Sequence, residues 1–368
     1  MNMISGAPGQ ITEAIVYTLI NSLWLGIIFA LIAGCIVAAT RKTDARVRYN
    51  FLLLILAAFL LSLTACFFYT WVAKPLAGNS SPLSAGATDP ERFVKIIHEH
   101  APVIFRTWLI IIVLQLARLS FNLYTLGRLS KSGVVNPGSV WAEKLAEFIR
   151  VLGIKRKVEL KVSALIASPL VIGFLKPVIL LPAGLINELS SREIELILLH
   201  ELAHIKRADF LVNIIIRLIR CLLFFNPAIW WLCKLIEEER EHCCDDIAVQ
   251  ICGDKVNYVR TLVNFAESHA RLPVFAMAFT GGMLGRVERI VTGRHRPLAR
   301  IEIICLGIVL AAGVWLTVTH KSQDIISLAK PSVQNQRSGK PPDPTAAEAK
   351  MKAEAEHSAL KKTQSSSP

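Results

Sequence analysis

The plainest chemistry in this sequence lies in His200-Glu201-Leu202-Ala203-His204. On a helix, residues four apart share a face, so the two imidazoles of an H-E-x-x-H pattern converge and can hold one zinc ion. Glu201 then stands beside them as the candidate general base for a water at the metal. Five residues can match such a pattern by chance, so the surroundings matter. Ser190-Ser191-Arg192-Glu193 has the form of a capping box at a helix start. Ile194, Ile197, Leu198, Leu202, Ala203 and Ile205 supply an apolar side. A helix through the motif is expected.

A zinc site of this kind needs a third ligand. The charged run from Glu237 to Asp246 carries Glu241 and Asp245, four apart and therefore on one face. One acid suits the metal, and the other suits the free ring N–H of a ligand histidine. Alone, the run reads as a solvated acidic helix face; with the motif upstream, the ligand reading prevails. Cys243 and Cys244, as helical neighbours, point different ways and are not expected to compete for zinc. Arg240 and His242 are expected on the helix surface. His269 and His295 read as ordinary, and His98 and His100 fall on the far side of the membrane.

The elements that must position these groups include membrane spans. Of 368 residues, 53% are hydrophobic, which points to a membrane protein rather than a soluble one. The formal net charge of +13 reads as basic loops held at the cytoplasmic face. No basic helix is interleaved with aromatics, so direct nucleic-acid binding is not expected. Eight cysteines without a C-x-x-C pair suggest neither a disulfide framework nor a zinc knuckle, and those near the site suit reduced thiols.

Met1 to Thr12 has no Lys or Arg, which argues against the basic region of a signal peptide. Three spans are expected in residues 1–126, at about 14–39, 51–73 and 108–126. Arg41, Lys42, Arg46 and Arg48 place the first loop inside; a Pro/Gly/Ser-rich stretch from Lys74 to Ala101 suits an outside connector. Arg128 and Lys131 follow the third span. Residues 127–300 form the expected cytosolic domain, with an amphipathic helix from Trp141 to Leu152. A strand is expected from Val158 to Val162, and short strands within Pro169–Phe174 and Val178–Leu181. A strand beside the metal would let an extended substrate add to a sheet; a small structural sheet fits the same residues equally.

Phe210 to Leu232 is apolar enough to cross the bilayer. A full crossing would put the motif and Glu241 on opposite sides, where they could not share one ion. Asn213, Arg217, Arg220 and the Asn226-Pro227 break also argue against it. A membrane-dipping hairpin over about 210–232 is expected, with a fourth span at 301–318, both termini outside, and a disordered extracytoplasmic tail at 319–368.

The motif after three spans, the Asn-Pro-broken apolar stretch, Glu241-His242-Cys243-Cys244-Asp245 and a final span together resemble the BlaR/MecR-type membrane metallopeptidases, which include β-lactam sensor-transducers of bacteria. The resemblance runs from about Ile11 to Thr319. It implies a multi-pass α-helical protein of the bacterial cytoplasmic membrane with a zincin-like (gluzincin) protease domain facing the cytoplasm, mainly helical with a small β-sheet. It implies one Zn2+ held by His200, His204 and Glu241, Glu201 as catalytic base, and Asp245 behind a ligand. The family typically has Ala-Cys-Asp where this chain reads Cys243-Cys244-Asp245, a small-for-small change. The antibiotic sensors carry a penicillin-binding domain after the last span, and here about fifty low-complexity residues follow instead. Ser327-Leu328-Ala329-Lys330 matches S-x-x-K without a domain around it, so a covalent β-lactam receptor role is not expected.

The resulting expectation is a membrane-embedded zinc metalloendopeptidase in signal transduction. Its substrate would be a cytosolic, repressor-like regulatory protein and, as an open extension, the chain itself; a homodimer is likewise left open. Two alternatives stand beside it. A quality-control protease of the HtpX type shares H-E-x-x-H and E-x-x-x-D but places the motif after two spans. A non-catalytic transducer with a structural zinc would not require Glu201.

Overall fold

The computed structural model describes residues 7–73, 89–270 and 276–295, together with Glu302, Ile304 and Gly307. The expected fourth span at 301–318, apart from those three residues, lies outside the described residues, as do the tail at 319–368 and the Ser327–Lys330 match.

Three long helices open the chain: α1 (Ala7–Ala39), α2 (Ala45–Ala73) and α3 (Asp89–Leu129). Within them Gly9–Ala39, Ala45–Val72 and Glu99–Leu129 are long and apolar enough to cross a bilayer. Large apolar side chains stand exposed along them, including Leu61, Ile110, Leu114 and Phe121. In water such a surface would be a liability; against lipid it is the ordinary exterior. The helices exceed the expected bounds. α2 begins at Ala45, so Arg46 and Arg48 belong to its first turns rather than to a loop. Arg48 is buried, donating from Nη1 to the carbonyls of Val37 and Thr40 at 3.1 Å each. α3 begins at Asp89 and runs through Pro102, inside what composition suggested was a connector. A proline in a helix removes one hydrogen bond, which one position in a 41-residue helix can absorb.

The next block is mainly helical with a small sheet. It comprises β1 (Val134–Val135), α4 (Ser139–Leu152), β2 (Glu159–Ser163), β3 (Leu170–Ile172), β4 (Val178–Pro182), α5 (Ala183–Glu188) and α6 (Ser191–Arg207). The sheet order is β1-β2-β4-β3. β2 and β4 run parallel, whereas β3 is an antiparallel hairpin partner of β4, with Val171 opposite Ile179. β3 is therefore an edge. Gly173 makes the turn at φ +90°, where an added Cβ would lie 2.9 Å from the Lys176 carbonyl oxygen.

α6 starts with the full capping box. Ser190 Oγ accepts from the Glu193 amide, and the Glu193 carboxylate accepts from the Ser190 amide at 2.9 Å. Its apolar side buries Ile194, Leu198, Leu202 and Ile205 in a core shared with α4, β2 and β4.

The apolar stretch after the motif is a helical hairpin, α7 (Asp209–Leu222) and α8 (Pro227–Cys252). Its turn hinges on Asn226. The side-chain oxygen caps α8 at the Ile229 amide, while the amide nitrogen donates to the Ser22 carbonyl of α1 at 2.8 Å. Pro227 sits in the first turn, where it costs no hydrogen bond. Gly26 permits this docking, because a Cβ there would fall 2.8 Å from the Asn226 amide nitrogen. Arg220 and Glu237 form a two-point ion pair across the hairpin at 2.9 and 3.0 Å, which satisfies charges a lone apolar crossing would strand. α8 then continues without a break through Glu241. It belongs to two cores: Ile229 to Cys243 pack with α1, α2 and α7, and Ala248 packs with α6. α9 (Lys255–Ala270) and α10 (Ala276–Thr292) complete the described fold.

Candidate metal centre

α6 and α8 pack together, and the contact brings His200, His204 and Glu241 to one point. Glu241 Oε2 lies 3.4 Å from His200 Nε2 and 3.8 Å from His204 Nε2. The two rings meet edge to face with centroids 4.9 Å apart. Glu201, half-buried, lines the same cleft of about 360 Å³. The cleft is also walled by Leu170, Val171 and Gly173, so the edge strand β3 borders it.

The hydrogen-bond network assigns both tautomers. Tyr258 donates its hydroxyl to Asp245 Oδ1 at 2.7 Å, so its oxygen is left to accept from His200 Nδ1–H, 3.1 Å away. Arg286 Nη2, at 3.4 Å from the same nitrogen, makes its short contact to Asp245 Oδ1 instead, at 2.5 Å. Asp245 Oδ1 is itself 3.3 Å from that nitrogen. Asp209 Oδ2 stands 2.8 Å from His204 Nδ1 and, being a carboxylate, accepts. In its neutral form each imidazole therefore turns an Nε2 lone pair toward Glu241 Oε2. The other oxygen, Oε1, is taken by Arg240 at 2.9 Å. Two lone pairs and a carboxylate oxygen converge, and Arg286 Nη1 stays 3.8 Å away from that oxygen. A cation of the zinc type, taking two imidazoles and one carboxylate, fits this set.

The electrostatics run the same way. Burial opposes a charged His200, and so does Arg286, yet hydrogen bonds to Asp245 and Glu241 raise its pKa to about 9. Burial disfavours an ionised Glu241, but His204, His200 and Arg286 hold it well below the usual carboxylate range. Burial likewise opposes ionised Asp245, which Arg286 and His200 nonetheless keep ionised to low pH. The centre is thus negative enough to attract either a proton or a metal.

Several residues around it were not legible in the spacing. Asp209 reaches His204 because α6 ends at Ala208, a non-glycine residue at φ 59° that turns the chain straight into α7. Such a conformation costs on the order of 1–2 kcal/mol and collects at functional sites. Tyr258 arrives from α9. Arg286 arrives from α10 and grips Asp245 through Nε at 2.9 Å and Nη2 at 2.5 Å. Cys243 and Cys244 do diverge: Cys243 packs into the α1–α2–α7 core, whereas Cys244 Sγ lies 3.2 Å from His204 Nδ1, behind the ring. Burial pushes the Cys244 thiol up, with Asp209 and Glu241 adding to the effect, so it stays protonated there. Arg240 and His242, expected on the helix surface, are instead turned inward; His242 and His295 are both buried. The side chain of His269 lies outside the described residues.

The profile of the family described as BlaR1 peptidase M56 matches residues 22–290, well over half of the chain. The chain belongs to the BlaR1 peptidase M56 family. Among curated relatives, this M56 member is 32% identical over 196 residues to the regulatory protein BlaR1 of Bacillus licheniformis, a match covering 51% of this chain and 32% of that protein. It is 26% identical over 150 residues to the methicillin resistance mecR1 protein of Staphylococcus aureus (strain Mu50 / ATCC 700699), covering 39% and 26% respectively. The same figures hold for the mecR1 protein of Staphylococcus epidermidis. The M56 chain thus spans about a third or less of the length of these relatives.

Proposed function

We propose that the chain is a membrane-embedded zinc metalloendopeptidase whose cleft faces the cytoplasm and whose substrate is a cytosolic regulatory protein of the repressor kind. The observation that carries this reading is the convergence of His200 Nε2, His204 Nε2 and Glu241 Oε2, with Glu201 lining the same cleft.

His200, His204 and Glu241 would hold the ion, and Asp245 and Asp209 would fix the rings from behind. A zinc ion held there would supply a Lewis acid for a peptide carbonyl and would lower the pKa of neighbouring water. Glu201, lining the cleft, is the group that would take a proton from water and deliver it to the leaving amine. Among the described residues β3 pairs only with β4, and its outer edge offers backbone groups to an extended peptide, which favours an unfolded segment as substrate. A structural zinc would require neither Glu201 in the cleft nor an open edge strand, which weighs against a non-catalytic transducer. The motif after three long apolar helices weighs against the HtpX type.

The topology supports cytoplasmic access. Asn226 docks at Ser22 and Gly26, near the middle of α1. From there α8 climbs about 22 Å to Glu241, the same rise that α1 makes from that level to its end at Ala39. Glu241 therefore comes level with the basic α1–α2 junction, Arg41 to Arg48, which the positive-inside rule puts at the cytoplasmic face. Three long apolar helices and a hairpin that dips into the bilayer without crossing fit this arrangement.

The test is cleavage of a library of unstructured peptides by the full chain in detergent, read by mass spectrometry. Cleavage abolished by a chelator and restored by zinc is expected. Cleavage indifferent to the chelator, or none with any peptide or protein offered, would count against the reading.

A further inference from the structure

Two residues before Glu241, α8 repeats its arrangement on another face. Glu239 Oε1 is held by Arg48 Nε at 2.9 Å, as Glu241 Oε1 is held by Arg240. Glu239 Oε2 faces two imidazoles: His242 Nδ1 is hydrogen-bonded to it at 3.2 Å, and His295 Nδ1 also lies 3.2 Å away. The two rings lie edge to face with centroids 5.4 Å apart. All three residues are buried, His295 to 4% exposure.

His295 decides what the cluster can bind. Its Nε2 is 2.9 Å from the Thr43 carbonyl oxygen, which can only accept, so Nε2 carries the hydrogen. Neutral His295 then aims an Nδ1 lone pair at the carboxylate oxygen. That nitrogen is buried without a hydrogen-bond partner, because its approach to Glu239 lies off the line a hydrogen bond requires. Two acceptors held face to face repel unless a cation lies between them. Ligands bound tetrahedrally at zinc distances stand about 3.3 Å apart; the two carboxylate-to-imidazole spacings here are 3.2 Å, and all three ligand atoms lie within 4.8 Å of one another.

The arginines beside the cluster are already engaged. Arg48 spends its charge on Glu239 Oε1 and on the Val37 and Thr40 carbonyls, at the electronegative end of α1. Arg289 spends its own on Asp246 and on the His242 carbonyl. A cleft lined by Thr43, Arg46, Asp246 and His295 gives access from solvent.

We infer that Glu239, His242 and His295 form a second divalent-metal site of the zinc type, separate from the His200–His204–Glu241 centre. It joins three distant parts of the chain: the α1–α2 turn through Thr43 and Arg41, whose carbonyl accepts from the His295 amide, the segment following α10, and α8. Its role is structural, fixing the register of α8 just ahead of Glu241. The inference does not depend on the function proposed for the first centre.

The test counts zinc per chain in the full-length protein purified in detergent, each variant checked for a monodisperse folded species. Wild type should carry about two ions, and His295→Ala, His242→Ala and His204→Ala about one each, with none in His204→Ala/His295→Ala. If His295→Ala does not fold, His295→Gln replaces it, and cobalt(II) titration of wild type should show two tetrahedral-type absorption steps. About one ion in wild type, lost in His204→Ala, would overturn the inference and leave a proton on His295 as the cation. Two ions in wild type that survive replacement of both His295 and His242 would overturn it as well.

Discussion

Asp209 Oδ2 lies 2.8 Å from Nδ1 of His204, although the two residues belong to successive helices separated by the left-handed Ala208. The carboxylate fixes the tautomer that turns Nε2 toward Glu241. Asp209→Asn keeps the shape but presents an amide that can offer a donor to the same nitrogen. Metal affinity is expected to fall about 10–100-fold, measured by competition with a chromophoric chelator. An unchanged affinity would show that Asp209 does not orient the ring.

Asp245 and Arg286 form a buried pair on the opposite side of the centre. Removing one partner strands the other, so Asp245→Leu should lower stability by about 3–5 kcal/mol. Arg286, 3.8 Å from Glu241 Oε2, would then be free to compete for that oxygen. Asp245→Leu/Arg286→Met should recover much of the stability without recovering full metal affinity, since His200 still lacks its carboxylate. Thermal unfolding and metal titration of the single and double variants separate the two effects.

The raised pKa of His200 gives the metal-free protein a pH signature. A group whose pKa rises on folding adds stability below its unfolded value, near 6.5, and loses it as pH climbs through about 9. The metal needs the neutral ring, so below about 9 it must displace a proton. Apparent affinity should therefore increase about tenfold per pH unit between roughly 6.5 and 9 from this residue alone, then level off. Metal-free stability should move the opposite way over the same interval. Affinity that is flat across the interval would contradict the assignment of His200.

Helix spacing paired His200 with His204 around Glu201, and Glu241 with Asp245, because each pair is four residues apart on one helix; joining the two helices took the need for a third ligand and the resemblance to the BlaR/MecR type. The capping box at Ser190 and the Asn226-Pro227 break were equally legible, since both are local. Asp209, Tyr258, Arg286 and His295 were not. Asp209 depends on an unusual backbone angle at an alanine, and the others come from helices or segments whose placement is a tertiary fact. Charge was also misleading at Arg48. In sequence it is one more loop cation, whereas the structure buries it against Glu239 and the end of α1.

Gly26 sets how closely α1 receives the hairpin turn. Gly26→Val would drive a side chain into the Asn226 amide, which is committed to Ser22 and to capping α8. A loss of about 1–3 kcal/mol is expected from overpacking, seen as a lower unfolding temperature in detergent. Because α8 carries Glu241, zinc retention should fall in parallel; a variant as stable as wild type would show the turn to be seated elsewhere.

The most direct measurement compares wild type with Glu201→Gln, both purified in detergent with zinc quantified, against a co-expressed candidate repressor and against the chain itself. Equal zinc in the two proteins is expected, with cleavage lower in the variant by about 10²–10⁴-fold. Equal cleavage by both would remove Glu201 from the chemistry, and absence of zinc from both would contradict the account at its centre.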